Sequence, residues 1–256
     1  MRKALTVLAV GSALLLMPSC GSSHRSFVRF VHASPNAGNI DITLNGNKIL
    51  SGVTYGTGSN YFTEAPGTTI SLKITKSSDA TSILLDTKIG LVDKSYYTIA
   101  AVGQIADSTV NPPIPSTFTI LQTADDHTAP VSTDVKIRVL QLDPLYHVIP
   151  GDSGPVDAYV TPPINTLNGT NADFTDVTFQ STPGWVSVKV PTDGNLRIRA
   201  VPAASTGNTD PDHTLIQGWD SQTVLFKTGQ VRTYVLLDNP AGTPFPEQSI
   251  FLNDLN

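Results

Sequence analysis

The chain has 256 residues, 16 Lys and Arg against 21 Asp and Glu, a formal net charge of −5 and one cysteine. The acidic balance excludes a nucleic-acid partner, because phosphate recognition rests on clustered Lys and Arg. The lone cysteine excludes an intramolecular disulfide.

At the amino terminus Arg2 and Lys3 precede an apolar run from Ala4 to Met17, and Pro18-Ser19-Cys20 closes it. That order is a secretory signal. The run of about 14 residues falls short of the roughly 20 that a helix needs to cross a bilayer. Leu16-Met17-Pro18-Ser19-Cys20 resembles the lipobox of bacterial lipoproteins, with Met17 where leucine is usual. The resemblance implies diacylglycerol on the sulfur of Cys20, cleavage after Ser19 and acylation of the new amino group. Two or more acyl chains anchor stably where one binds reversibly. Residues 1–19 are thus expected to be a signal peptide, and residues 20–26 a lipidated amino terminus and short polar linker. Gly21 follows the cysteine, without the aspartate that retains many lipoproteins in the inner membrane, so the outer membrane of a Gram-negative bacterium is the expected address. Loss of Arg2 and Lys3 leaves 14 basic against 21 acidic residues, a formal charge near −7.

Beyond the signal, helical periodicity gives way to short alternating apolar runs separated by Gly, Pro, Asn and Asp, the pattern of an all-β protein. Strands are predicted at Phe27 to His32, Ile40 to Leu44, Thr69 to Thr75, Tyr96 to Val102 and Thr117 to Leu121. Asn45-Gly46 predicts a tight hairpin, since both residues tolerate positive φ. Ile40, Ile42 and Leu44 then share one face, with Asp41 and Thr43 on the other.

The second half replays the first. Val28-Arg29-Phe30-Val31 corresponds to Ile137-Arg138-Val139-Leu140, Ser34-Pro35 to Asp143-Pro144, Ile40-Asp41 to Val156-Asp157 and Gly52-Val53-Thr54-Tyr55 to Asp176-Val177-Thr178-Phe179. Leu72-Lys73-Ile74 aligns with Leu196-Arg197-Ile198, Tyr97-Thr98-Ile99-Ala100 with Arg232-Thr233-Tyr234-Val235, and Phe118-Thr119-Ile120-Leu121 with Ile250-Phe251-Leu252. Extra residues in the second copy fall at Leu145 to Pro155, Thr161 to Asp173 and Pro202 to His213. The expected organisation is two tandem immunoglobulin-like β-sandwiches, residues 27–124 and 134–256, joined by a polar segment near Thr123 to Thr133.

The opening Val28-Arg29-Phe30-Val31-His32-Ala33-Ser34-Pro35, followed by Ile40-Asp41-Ile42 and the Asn45-Gly46 turn, resembles the start of the domain of unknown function 4397 family of secreted bacterial domains. Tyr97-Thr98-Ile99-Ala100-Ala101-Val102-Gly103 resembles that family's penultimate strand. The resemblance covers roughly residues 27–122 and implies a sandwich fold and an envelope location; it brings no site residues.

Little in the sequence carries chemistry. Gly151-Asp152-Ser153-Gly154-Pro155 resembles the nucleophile segment of chymotrypsin-like proteases, but Pro155 cannot donate the expected backbone N–H and His127 lies only 26 residues before Ser153. No His-Glu-x-x-His helix or phosphate-binding glycine loop is present, and the five histidines have no local metal-pair spacing. Neither a cofactor nor a metal is therefore expected, and no catalytic residues are assigned. Asp125-Asp126-His127 and Asp210-Pro211-Asp212-His213 are acidic turns with the chemistry for calcium but not an EF-hand register. Trp185 and Trp219 are the candidates for a platform that stacks a sugar ring; Trp185, which shares the polar face of its strand with Ser187 and Lys189, is the better exposed of the two and the candidate ligand contact. The expected role is a non-enzymatic binding, adhesion or structural one, with the membrane met through the lipid and an envelope protein or glycan as partner. The alternative is a carbohydrate-active or hydrolytic accessory protein with a dispersed site.

Overall fold

The computed structural model describes residues 24–109, 115–144, 155–167, 169–203, 219–239 and 247–255. Every regular element among them is a strand. The first half contributes β1 (Ser26–Ala33), β2 (Ile40–Leu44), β3 (Asn47–Val53), β4 (Thr57–Gly58), β5 (Phe62–Glu64), β6 (Gly67–Lys76), β7 (Asp79–Leu91), β8 (Tyr96–Val102) and β9 (Thr119–Asp125). The second contributes β10 (Asp134–Gln141), β11 (Val156–Thr161), β12 (Phe174–Val177), β13 (Val186–Lys189), β14 (Asn195–Pro202), β15 (Val224–Leu225), β16 (Val231–Leu237) and β17 (Gln248–Leu255).

These strands form four sheets. In the first half β4-β1-β8-β9, with β5 also on β1, faces β3-β2-β6-β7; in the second β13-β10-β16-β17 faces β12-β11-β14-β15. The two orders are the same once β10 is read as β1 and β16 as β8. Both copies pair their first strand in parallel with the penultimate one, Arg29 opposite Thr98 and Arg138 opposite Thr233. Asn45 and Gly46 take φ of 47° and 81°, the paired left-handed residues of a two-residue hairpin turn. The repeat extends to side-chain detail: Gly52 and Asp176, both left-handed, donate N–H to Asp41 and Asp157 Oδ1 at 2.9 Å each.

Each half has its own core. Val28, Phe30, Ile42, Leu44, Leu72, Ile74 and Ile99 fill the first, and Ile137, Val139, Ala158, Ile198, Trp219 and Tyr234 the second. A third cluster lies between the halves, where Val31, Ala33, Ala100 and Val102 meet Leu140, Leu142, Val235, Leu237 and Leu252. Sheets β4-β1-β8-β9 and β13-β10-β16-β17 are thus covered on both faces. That is why β1 and β8 read as nearly continuous apolar runs rather than as alternation.

Three expectations shift. Thr117 lies before β9 rather than in it, because its N–H and hydroxyl are taken by Gln104 and the ladder begins at Val102 opposite Thr119. Ladder register puts Leu72 opposite Leu44 and Ile198 opposite Val160, so Leu72 corresponds to Ile198, two residues beyond the sequence alignment. A two-residue slip keeps the same face inward, which is why the pattern alone did not reveal it. Likewise Leu121 corresponds to Ile250, since they pair with Ala100 and Val235. Asp41, on the expected polar face, is nonetheless only 4% exposed. Lys48, Ser51 and Ser77 close over its carboxylate and, with the Gly52 N–H, hold it well below the usual range.

Candidate functional site

The junction of the two halves is built from one arginine per repeat. Arg29 and Arg138 sit at matching positions of β1 and β10, each about 1% exposed. Alternation aims both away from their own cores and into the junction. Arg29 Nη2 donates to Asp254 Oδ1 at 2.5 Å and its Nε to Thr98 Oγ1 at 2.8 Å. Arg138 Nη2 donates to Asp125 Oδ1 at 2.6 Å and to Thr233 Oγ1 at 3.0 Å. Each arginine therefore pairs with the other repeat's aspartate. Thr98 donates to Asp125 and Thr233 to Asp254, so each repeat's threonine orients its own carboxylate. This reciprocity is the mark of an isologous contact, here within one chain.

An aromatic ring caps each guanidinium. Tyr61 lies 4.8 Å from Arg29 and Trp185 lies 4.5 Å from Arg138. The ladders make these two rings equivalent, since the residues after them, Phe62 and Val186, pair with Val28 and Ile137. Desolvated cation–π contacts of this kind are worth about 2 kcal/mol. Tyr61 also donates its hydroxyl to Asp125 Oδ2 at 2.7 Å. Burial pushes the Asp254 carboxyl up to about 6 despite the neighbouring Arg29. A cleft of about 170 Å³ opens beside the pair, lined by Arg29, Gly58, Ser59, Asn60, Tyr61 and the stretch from Phe251 to Asn253.

At the far end of the same junction three acidic residues converge. Asp143 follows β10, Asp238 follows β16 and Glu247 precedes β17; they are 0%, 3% and 4% exposed. One carboxylate oxygen from each lies within 4.8 Å of the other two. Tyr55 reaches across from the first repeat to donate its hydroxyl to the Asp238 carbonyl at 2.7 Å. Burial, and then the charges of Asp238, Asp143 and Glu247, hold the Tyr55 phenol well above its ordinary range. Burial, and then the Asp143 charge, pushes Asp238 up to about 7.

Residues 26–149 match the family model of a domain of unknown function, DUF4397. The match begins at β1 and runs through the whole first sandwich and on through β10, beyond the stretch whose resemblance the sequence motifs carried. It therefore includes Arg29, Tyr61, Thr98, Asp125 and Arg138, and Asp143 of the acidic group. Asp238, Glu247 and Asp254 lie outside the DUF4397 match. No curated protein matches the chain.

The sequence-predicted residues divide clearly. Cys20, Asp210 to His213 and the segment from Gly151 to Gly154 lie outside the described residues. Trp185 is half-buried with one face of its indole over Arg138. Trp219 is fully buried and donates Nε1–H to the Leu237 carbonyl at 2.9 Å. In the acidic stretch at the end of β9 Asp125 faces Arg138, Asp126 takes Lys136 at 2.7 Å, and His127 stacks on Tyr96 with centroids 3.4 Å apart. Sequence reasoning missed the paired arginines and the acidic triad. An arginine held at the same position of two otherwise apolar strands was the available signal for the first.

Proposed function

We propose that the chain is an exported lipoprotein, anchored through Cys20 to the outer membrane, whose body is a stiff non-enzymatic element for binding or spacing in the cell envelope. The observation that carries this reading is the junction between the sandwiches. A hinged pair would expose small polar contacts there. Instead the third apolar cluster and the two crossed Arg–Asp pairs join both halves through groups that are buried on both sides. Inter-domain motion is the default unless the interface is large and apolar, so this body is suited to hold a surface at a fixed distance and orientation from its anchor. The two facing sheets in each half and their shared strand order favour the immunoglobulin-like reading of each sandwich.

The partner-facing surface is assigned to the loops added in the second copy. In the Thr161 to Asp173 loop a small cluster of Tyr159, Leu167 and Val201 pins the base, while Ile164 stands 90% exposed near its tip. An apolar side chain offered on a pinned loop suits a protein partner, since loops on rigid scaffolds carry recognition. Mass spectrometry of the mature amino terminus in a Gram-negative host tests the anchor. Triacylated Cys20 in the membrane fraction, lost in Cys20→Ser with release of the body, is expected. An unmodified, soluble wild-type product refutes it.

A further inference from the structure

The acidic triad arose in only one of the two repeats. The ladders match Asp143 with Ser34, Asp238 with Gly103 and Glu247 with Phe118, so the first sandwich has no charge at any of the three positions. One carboxylate oxygen from each, on three different strand ends, lies within 4.8 Å of the other two, and like charges so close and so buried oppose one another's ionisation. Among the described residues no Lys or Arg forms an ion pair with Asp238, and its Oδ2 is buried with no hydrogen-bond partner. A side chain that is only 3% exposed, keeps an unpartnered oxygen and lies against two other carboxylates is suited to receive a cation.

We propose that Asp143, Asp238 and Glu247 bind one calcium ion at the end of the junction between the two sandwiches. Among the described residues the donor set is hard oxygen, which selects calcium or magnesium over zinc or copper. Coordination geometry then favours calcium, which accepts an irregular shell of oxygens at about 2.3–2.6 Å such as carboxylates on three strand ends can supply, whereas magnesium at about 2.1 Å requires near-octahedral geometry. Tyr55 fixes the backbone of Asp238 from the opposite sandwich, so the ion would tie the strand ends of the second sandwich where the first abuts them. Three carboxylates with water completing the shell correspond to a Kd of about 10⁻⁴ to 10⁻³ M, the range of extracellular calcium modules.

The test is thermal unfolding of the whole mature chain, residues 20–256 with Cys20→Ser, in EGTA and in a calcium chloride series, with isothermal titration calorimetry on the same samples. Calcium at 100 times Kd should raise Tm by roughly 5–10 °C, and calorimetry should give one site per chain. Asp238→Asn removes a buried charge, so it should melt at or above the wild type in EGTA and below it in calcium. That crossing of the two curves separates a lost ligand from a damaged fold. A wild-type Tm and heat signal unchanged up to 10 mM calcium overturns the proposal. So does a calcium response that survives in Asp238→Asn, or one that magnesium matches.

Discussion

Removing the Arg29 guanidinium should cost far more than a surface ion pair would. Arg29→Met keeps most of the side-chain volume but leaves Asp254 buried beside the Thr233 hydroxyl at 3.0 Å and the Tyr61 hydroxyl at 3.4 Å, with no cation of its own. Breaking one partner of a buried pair costs about 3–5 kcal/mol, because the surviving charge stays desolvated. The scale agrees with about 4 kcal/mol for unit charges 4 Å apart at an effective dielectric of 20. For a body of this size each kcal/mol corresponds to about 2–4 °C, so Tm should fall by roughly 10 °C. The second variant, Arg29→Met with Asp254→Leu, removes both charges and should regain most of the loss, since apolar replacement of a whole buried pair is often neutral. Urea unfolding of the Cys20→Ser chain, followed by tryptophan fluorescence, measures both. Trp219 reports the second core, and Trp185 reports the junction through its contact with Arg138. A loss below about 1 kcal/mol in Arg29→Met, or a double variant no more stable than the single one, would show that the crossed pairs do not hold the halves together.

Three further outcomes follow from the same geometry. A Cβ on Gly58 would lie 2.5 Å from Leu252 Cδ2 across the junction, so Gly58→Ala should lower stability by about 1–3 kcal/mol in urea titration. Gly103 combines φ of +79° with a Cβ position 2.3 Å from the Thr117 carbonyl; Gly103→Ala should cost about 2 kcal/mol or more and shift the urea midpoint accordingly. Asp254 takes up its proton near pH 6 in the folded chain but near pH 4 unfolded, so its contribution to stability is greatest below pH 4 and falls by about 3 kcal/mol as pH rises through 6. Subtracting the Asp254→Asn profile isolates this effect from carboxylates such as Asp41, whose stabilisation has the opposite sign and is lost as pH falls. A wild-type advantage over Asp254→Asn that grows between pH 4 and 6 would contradict the assignment.

Strand positions, the Asn45-Gly46 hairpin and the duplication were all readable in the sequence because each is written locally, in alternation of period two and in turn chemistry. Register was less readable. A slip of two residues at Leu72 and Ile198 leaves every side chain on its proper face, so only the hydrogen-bonded ladder decides it. The acidic triad was not readable at all: Asp143 lies far along the chain from Asp238, and only the parallel pairing of β10 with β16 and the antiparallel return of β17 bring their ends together. Two-sided burial of β1 and β8 did leave a trace in Phe30-Val31 and Ile99 to Val102, where apolar residues occupy both faces rather than one. Trp185 shows the limit of pattern alone. Alternation placed it on the polar face, where its strand neighbours Ser187 and Lys189 are exposed, yet a guanidinium from β10 occupies one side of its ring.

Equivalent positions across the junction are not equal in size, and this asymmetry predicts how separated halves behave. Val31, Ala33, Ala100 and Val102 of the first sandwich correspond to Leu140, Leu142, Val235 and Leu237 of the second. Charge complementarity would be met in a like-with-like pair, because Arg29 would reach a second Asp125 as it now reaches Asp254. Packing would not. Two small faces would leave voids at a cost of about 2–5 kcal/mol for each leucine replaced by alanine-sized volume, and two large faces would overpack by about 1–3 kcal/mol at each clash. Cleaving the chain near Val131, which is 68% exposed between β9 and β10, gives two fragments that each retain their own core. Mixed at equal concentration, they should sediment as a one-to-one complex, while either fragment alone self-associates at least about tenfold more weakly, the ratio set by 1.4 kcal/mol. Equal self-association of the fragments, or their failure to join in trans at micromolar concentration, would mean that the covalent linker rather than side-chain complementarity holds the junction closed.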